Sequence, residues 1–242
     1  MLTATYRTNR AIVLFIKNEK IRNPKIFSSR VAYDLFNTKI EKLVAQVKDK
    51  IDVDIILCSD DPSLIKSNKF IRQTGKSFDE KFNNAIDKTF QLGYDEIIIT
   101  GNDSPDLTSQ HIIESFVNIS NEKIVVGPSY DGGIYLLGLA KKSFESKIKA
   151  RWNTSHVKND ILNVFRDKEV LLLDHLYDID NEKDLISWFS TKSKSAILFQ
   201  KLVKAETAVK QKDRLTHHTN STEQNIFRIH TQKAPPHIIS FV

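Results

Sequence analysis

A chain of 242 residues with 40% hydrophobic content can bury one sizeable core with room for an appendage, and no apolar run has the length of a membrane-spanning helix. The net charge of +6 is unevenly placed: residues 191–242 hold nine Lys/Arg against three acids, so the rest is neutral and has no general basic field for nucleic acid. A single cysteine, Cys58, excludes an internal disulfide framework and a multi-cysteine zinc site; with no signal-like apolar region at the amino terminus, a reducing, cytoplasmic setting is expected.

In chain order, residues 10–17 (RAIVLFIK) predict a fully buried strand with a charge at each end. Residues 18–27 read as a polar, basic loop with Lys20, Arg22 and Lys25, broken by Pro24. Ser28 or Ser29 can then cap a helix reaching about Lys48, with Val31, Leu35, Ile40, Leu43 and Val47 near helical spacing. A second strand over 53–58 ends in an acidic turn at 59–62, a helix over 78–91 is stopped by Gly93, and a third strand covers 95–100. Beyond it the pattern predicts a helix at about 108–120, strands at 123–126 and 134–139, a helix to about Phe165, a strand at 170–173 and a helix ending near Phe189. Strands alternating with helices imply βαβ units, an α/β fold and a mostly parallel sheet. After Thr191 the texture changes. Residues 193–215 can form an amphipathic helix, whereas 216–242 are polar, histidine-bearing and proline-containing. Residues 1–190 are therefore expected to form one α/β domain and 191–242 a basic, partly helical appendage whose end is poorly ordered or docked at an edge.

Three stretches carry candidate chemistry. In the first, a strand at 97–100 runs into Gly101-Asn102-Asp103-Ser104-Pro105-Asp106. Ligands of open α/β sheets bind outside the carboxyl ends of strands, so Asp103 and Asp106 would project at such a crevice. Their spacing suits one ligand of a hard divalent cation, such as magnesium, plus one residue that orders the loop or contacts substrate; Asp106 can equally cap the following helix. In the second, Asp131 precedes Gly132 and Gly133, an arrangement that suits recognition of hydroxyls or general-base work, or a simple Asp-Gly hairpin turn. In the third, Asp178 and Asp180 lie two apart, so both would face one way from an extended segment, or Asp180 would cap a helix. The histidines are scattered and form no pair at metal-ligand spacing, and Trp152 reads as core beside the crevice.

Gly101-Asn102-Asp103-Ser104-Pro105-Asp106-Leu107, then residues 127–138 (GPSYDGGIYLLG), then Trp152-Asn153-Thr154 and Asp178-Ile179-Asp180 resemble, in order, the motifs of the DUF2064 family. That family comprises glycosyltransferase-like proteins of the GT-A (nucleotide-diphospho-sugar transferase) fold, related to guanylyltransferases. The resemblance covers roughly residues 10–190 and implies a three-layer, Rossmann-like GT-A fold. It implies Asp103, Asp178 and Asp180 as ligands of Mg2+ or Mn2+ and Asp131 as the catalytic residue facing acceptor or sugar. Lys17, Lys20, Arg22, Gln73, Gly75, Asp106, Gly132 and Gly133 would contact the nucleotide or nucleotide-sugar donor. The chain departs from the family after its first strand. It keeps Lys17, but residues 18–29 stand where the family has a Pro/Gly turn and a Lys-Thr-Arg-Leu motif; the family's Leu-Gly-Glu-Arg segment reads Phe78-Asp79-Glu80-Lys81. The expected activity is metal-dependent transfer from an activated nucleotide, with glycosyl transfer to a small acceptor leading. Nucleotidyl transfer to a small phosphorylated substrate and a non-catalytic nucleotide-binding role are the alternatives.

Overall fold

The computed structural model describes residues 8–17, 30–67 and 69–179 together with Asp184 and Trp188, with side chains of the first helix from Phe36 onward. The chain divides at Ser193 into two units, and the described residues all belong to the first. The helix expected to end near Phe189 falls almost wholly outside the described residues, as does everything expected of the tail.

Seven strands form one sheet in the order β3-β2-β1-β4-β6-β5-β7. They are β1 (Arg10–Phe15), β2 (Asp54–Ser59), β3 (Lys69–Arg72), β4 (Glu96–Thr100), β5 (Lys123–Pro128), β6 (Ile134–Ala140) and β7 (Glu169–Leu172). Only β6 runs against its neighbours, pairing antiparallel with β4 and β5; every other pairing is parallel. The central strands carry near-continuous Ile, Val and Leu because a parallel strand is covered on both faces. Thus Ile12, Leu14 and Ile98 point to one apolar layer, and Ala11, Val13, Ile97 and Ile99 to the other.

Four α-helices are described: α1 (Arg30–Lys48), α2 (Phe78–Gln91), α3 (Ser109–Asn118) and α4 (Val157–Val164). Ile40, Leu43 and Val47 of α1 share a layer with Ile112 and Phe116 of α3. Phe82, Ala85, Ile86 and Phe90 of α2 share the opposite layer with Val157 and Ile161 of α4. The result is the helix–sheet–helix sandwich of the Rossmann-like α/β class. None of the described helices is long and apolar enough to cross a membrane.

Strand β3 was not expected from the sequence. Of its four residues only Ile71 is buried, and an edge strand with so little apolar content gives no periodic signal. Helix α4 starts at Val157, after the turns of residues 152–156, with Asn153 at φ 60 in the left-handed region that asparagine tolerates.

The chain goes from β1 outward to β2 and β3, then returns through α2 to place β4 on the other side of β1. The strand order thus reverses at β1, and ligands of open α/β sheets sit in the crevice outside the carboxyl ends of the strands at such a switch point.

Candidate active site

A cavity of about 260 Å³ occupies this crevice. Phe15 and Lys17 reach it from the end of β1, residues 99–103 from the end of β4, Phe78 and Phe82 from α2, and Asp131 and Gly133 from the loop between β5 and β6. Trp152, Asn153 and Thr154 close the remaining side.

Three strand ends each deliver a carboxylate to this region; Asp103 and Asp131 line the cavity, and Asp178 lies beside them without lining it. Asp103 lies three residues past β4, Asp131 in the β5–β6 loop, and Asp178 in the extended segment after β7. That segment continues the sheet's hydrogen bonding: Leu176 N donates to Pro128 O (3.1 Å), Tyr130 N to Leu176 O (3.1 Å), and Ile179 N to Asp103 O (3.0 Å). The backbone thereby ties all three carboxylate-bearing segments together.

Local chemistry then fixes each side chain. Ser104 Oγ donates to Asp178 Oδ1. Ser129 Oγ (2.6 Å) and Gly133 N (2.9 Å) both donate to Asp131 Oδ1, so the loop folds around one oxygen of Asp131. Asp131 and Gly132 join an antiparallel pair, as a hairpin turn does, and Asp131 also lines the cavity. Gly132 has φ +91, and a Cβ there would lie 2.3 Å from Ser155 O; only glycine lets this loop pack on the chain entering α4. Gly101 likewise makes room, since a Cβ on it would fall 2.7 Å from Asp103 Oδ1.

Clustering has an electrostatic consequence. Burial first, then the neighbouring Asp103 charge, push the Asp178 carboxyl far above the ordinary aspartate value; the Ser104 and Ser129 hydroxyls offset part of this, and Asp131 adds to it. A carboxylate group raised by its like-charged neighbours is a place where a cation would be taken up. Among the described residues no group of three or more His, Cys, Asp or Glu could by itself hold a metal ion. Magnesium and manganese sites, however, commonly use one or two carboxylates plus substrate phosphates. The pair Asp103 and Asp178 fits that donor set.

Not every residue expected at the site lines the cavity. Lys17 does, with Nζ 5.1 Å from the Phe78 ring centroid, and is the one cation among the described lining residues. The Gln73 side chain is engaged elsewhere: its Nε2 donates to Ile16 O (3.2 Å) and Cys58 O (3.1 Å), strapping the carboxyl ends of β1 and β2. Gly75 packs against the first turn of α2. Asp106 Oδ2 accepts from Trp188 Nε1 (2.8 Å), and the N-cap of α3 is Thr108, reciprocally bonded with His111. The capping role open to Asp106 is thus taken two residues later. Lys20, Arg22 and Asp180 lie outside the described residues.

Two features of the site were not expected. One is an aromatic wall in which Phe15, Phe78, Phe82 and Trp152 lie with neighbouring ring centroids 4.4–6.1 Å apart. Its components are 63 residues or more apart in the chain except for Phe78 and Phe82 at helical i,i+4 spacing, the one sequence signal available. The other is a clamp on the Asp103 loop. Asn102 Nδ2 donates to Asn37 Oδ1 (2.7 Å), Lys39 Nζ donates to Pro105 O (3.2 Å), and the same ammonium lies 4.8 Å from the ring centroid of buried Trp188.

With this geometry in hand, the molecule can be set beside known proteins. Residues 43–154 match the family "Uncharacterized protein conserved in bacteria (DUF2064)". A stretch of 97 residues is 33% identical to the 2-phospho-L-lactate guanylyltransferase of Methanocaldococcus vulcanius, spanning 38% of this chain and 44% of that protein. A Desulfovibrio desulfuricans G20 protein provisionally described as a nucleotide-diphospho-sugar transferase superposes with a TM-score of 0.66 at 23% identity, over 85% of this chain and 98% of its own. A nucleotidyl transferase from Methanothermobacter thermautotrophicus gives a TM-score of 0.52 at 10% identity, over 75% and 95%. The segment that matches this family holds Asp103 and Asp131, and it is carried on the fold that these transferases share.

Proposed function

We propose that the cleft performs metal-dependent transfer from a nucleotide-activated donor, with glycosyl transfer to a small hydroxyl-bearing acceptor as its leading form. The observation that carries this reading is that Asp103 and Asp131 line a cavity at the sheet's switch point, with Asp178 close enough to both to feel their charge. Asp103 and Asp178 would hold the divalent ion together with the donor's phosphates, and Lys17 would face those phosphates from the end of β1. The bound ion would offset charge on the departing diphosphate. Asp131 keeps one oxygen on the loop's own donors, and its other oxygen would accept the acceptor's proton, as general-base work requires.

A second reading is nucleotidyl transfer with release of pyrophosphate, favoured by the match to a guanylyltransferase over part of its length. The two give different products, a nucleoside diphosphate in the first and pyrophosphate in the second.

Calorimetric titration of nucleoside diphosphates and triphosphates, with manganese and with chelator, tests the shared core of both. Manganese is expected to tighten binding to the wild type, and Asp103→Asn to remove that tightening, about 10- to 100-fold, while leaving the fold intact. Equal affinity in chelator, or an undiminished manganese effect in the variant, would overturn the reading.

A further inference from the structure

We propose that the aromatic wall is the acceptor subsite and that it takes an uncharged, hydroxyl-bearing ring such as a saccharide. This rests on the transferase reading of the same cleft.

Three observations define what the wall can hold. First, it offers ring surface without a hydrogen-bond donor. The Trp152 indole N–H is already donated to Asp79 Oδ1, which also takes Ala150 N at 3.2 Å. The indole is thereby fixed against Phe78 and Phe82, 4.4 and 5.0 Å away between centroids. A ligand meeting this wall must present an apolar face.

Second, polar groups with capacity to spare line the same cleft. Both hydrogen bonds described for Asp131 end on Oδ1, leaving Oδ2 able to accept from a ligand. Asn153 lines the cleft too, and its side-chain amide can both donate and accept. A ring with hydroxyls at its rim and hydrocarbon on its face satisfies both kinds of surface at once.

Third, the field there opposes an anion. Asp103 and Asp131 line the cavity with Asp178 close by, and among the described lining residues Lys17 alone is positive. Lys17 Nζ lies over Phe78, at the β1 end of the wall. A phosphorylated acceptor beside Asp131 would sit near like charges, so the neutral form of the same ring is selected. The inference thus separates the two reactions considered above, because a small phosphorylated substrate is the one this subsite would reject.

The experiment uses the full chain labelled with ¹⁵N at its two tryptophan indoles, titrated with methyl glycosides of glucose, galactose and mannose. Trp152→Phe assigns the two signals, and buried Trp188, bonded to Asp106, serves as an internal reference. Glycoside should move the Trp152 indole resonance and leave that of Trp188 in place. Phe78→Leu, which keeps apolar volume, should weaken binding about tenfold, and glucose 6-phosphate should bind at least about tenfold more weakly than methyl glucoside. Equal or tighter binding of the phosphosugar, or a Phe78→Leu protein that binds normally, would overturn the inference.

Further arms separate an acceptor from the donor's own sugar. The titration is repeated with UDP or GDP plus manganese, and with UDP-glucose or GDP-mannose plus manganese. An acceptor subsite keeps its glycoside in both. Displacement by the nucleotide sugar alone would assign the wall to the donor sugar and overturn the acceptor role. If nucleotide and manganese bind but no glycoside does, the inference falls and the transferase reading stands. Glycoside binding with no nucleotide–manganese binding would overturn the transferase reading, and the acceptor role with it.

Discussion

The two ends of the sheet treat the same side chain in opposite ways. At the amino ends, Asp54 accepts from Tyr94 OH (2.6 Å) and Lys69 Nζ (2.9 Å), and Glu96 pairs with Arg10 at 2.8 Å. Those donors, Tyr94 first and Lys69 next, hold the Asp54 carboxyl below its ordinary value. At the carboxyl ends, Asp178 and Asp131 are held by serine hydroxyls, and burial beside Asp103 drives Asp178 upward. Hydroxyls orient a carboxylate without neutralising it. Among the described residues, one end is thus electrostatically closed by its own cations, while at the other the described hydrogen-bond donors to Asp131 and Asp178 are neutral. Paired with cations, a strand-end carboxylate serves the fold; held by neutral donors, it keeps its charge available to a ligand.

The largest effect that would sharpen this contrast is at Asp131. If its spare oxygen serves the acceptor, Asp131→Asn should lower turnover by about 100-fold or more, the usual scale of a lost general base. Nucleotide affinity in manganese should stay within about twofold, because the serine and glycine donors can still meet the amide oxygen. Single-turnover rates and calorimetry on one preparation read both quantities. Equal loss of nucleotide affinity would instead put Asp131 with Asp103 and Asp178 at the phosphates.

How far all this could be read from the chain alone depends on how local each feature is. The central strands were legible because Ile12–Leu14 and Ile97–Ile99 are runs of apolar residues whose burial is fixed by their own sequence. The β5–β6 loop was legible from Asp-Gly-Gly, since backbone conformation there selects the residues. Strand β3 was not, because pairing with β2, rather than its own pattern, makes it a strand. Gln73 was assigned to the nucleotide by resemblance, yet its side chain bonds the main chain at Ile16 and Cys58, a distance relation no spacing reveals. The aromatic wall was hidden for the same reason: Phe15, Phe78 and Trp152 meet only once β1, α2 and the 150s loop are folded together.

A second test acts on the carboxyl end through pH. For a carboxyl whose folded value is raised, the native state holds a proton that the unfolded chain has lost, so stability falls as pH rises. For Asp178 the window runs from the ordinary 3.8 to about 8. Within it the slope is at most about 1.4 kcal/mol per pH unit. In chelator, the wild type should therefore lose stability from pH 5 to 8, and Asp178→Asn should flatten the curve and be the more stable protein at the upper end. Urea unfolding at several pH values, with m-values compared, measures this. Manganese with nucleotide should restore the wild type and do little for the variant. A wild-type curve that is flat in chelator, or one that the variant leaves unchanged, would remove the repulsion from the account.

The smallest effect is at the amino end, and its sign is reversed. Asp54 has a lowered folded value, so its contribution is fully present above the unfolded 3.8 and disappears as pH falls through the folded value. The carboxyl and the Lys69 ammonium are about half exposed, at 51% and 45%, so solvent screens the pair. Asp54→Asn should accordingly destabilise by about 1 kcal/mol or less at neutral pH, the range of exposed ion pairs. The loss should vanish in acid, shrink at high salt, and be partly reproduced by Tyr94→Phe, which removes the stronger of the two donors. Nucleotide affinity and its manganese dependence should not move, since these residues sit at the opposite ends of the strands from the cleft. The pairing of this null result with the Asp103→Asn loss is what the contrast requires. If Asp54→Asn weakened nucleotide binding as much as a carboxyl-end substitution, the two ends would not be electrostatically independent. Binding would then be following global stability, and the division between a closed end and an open one would fail.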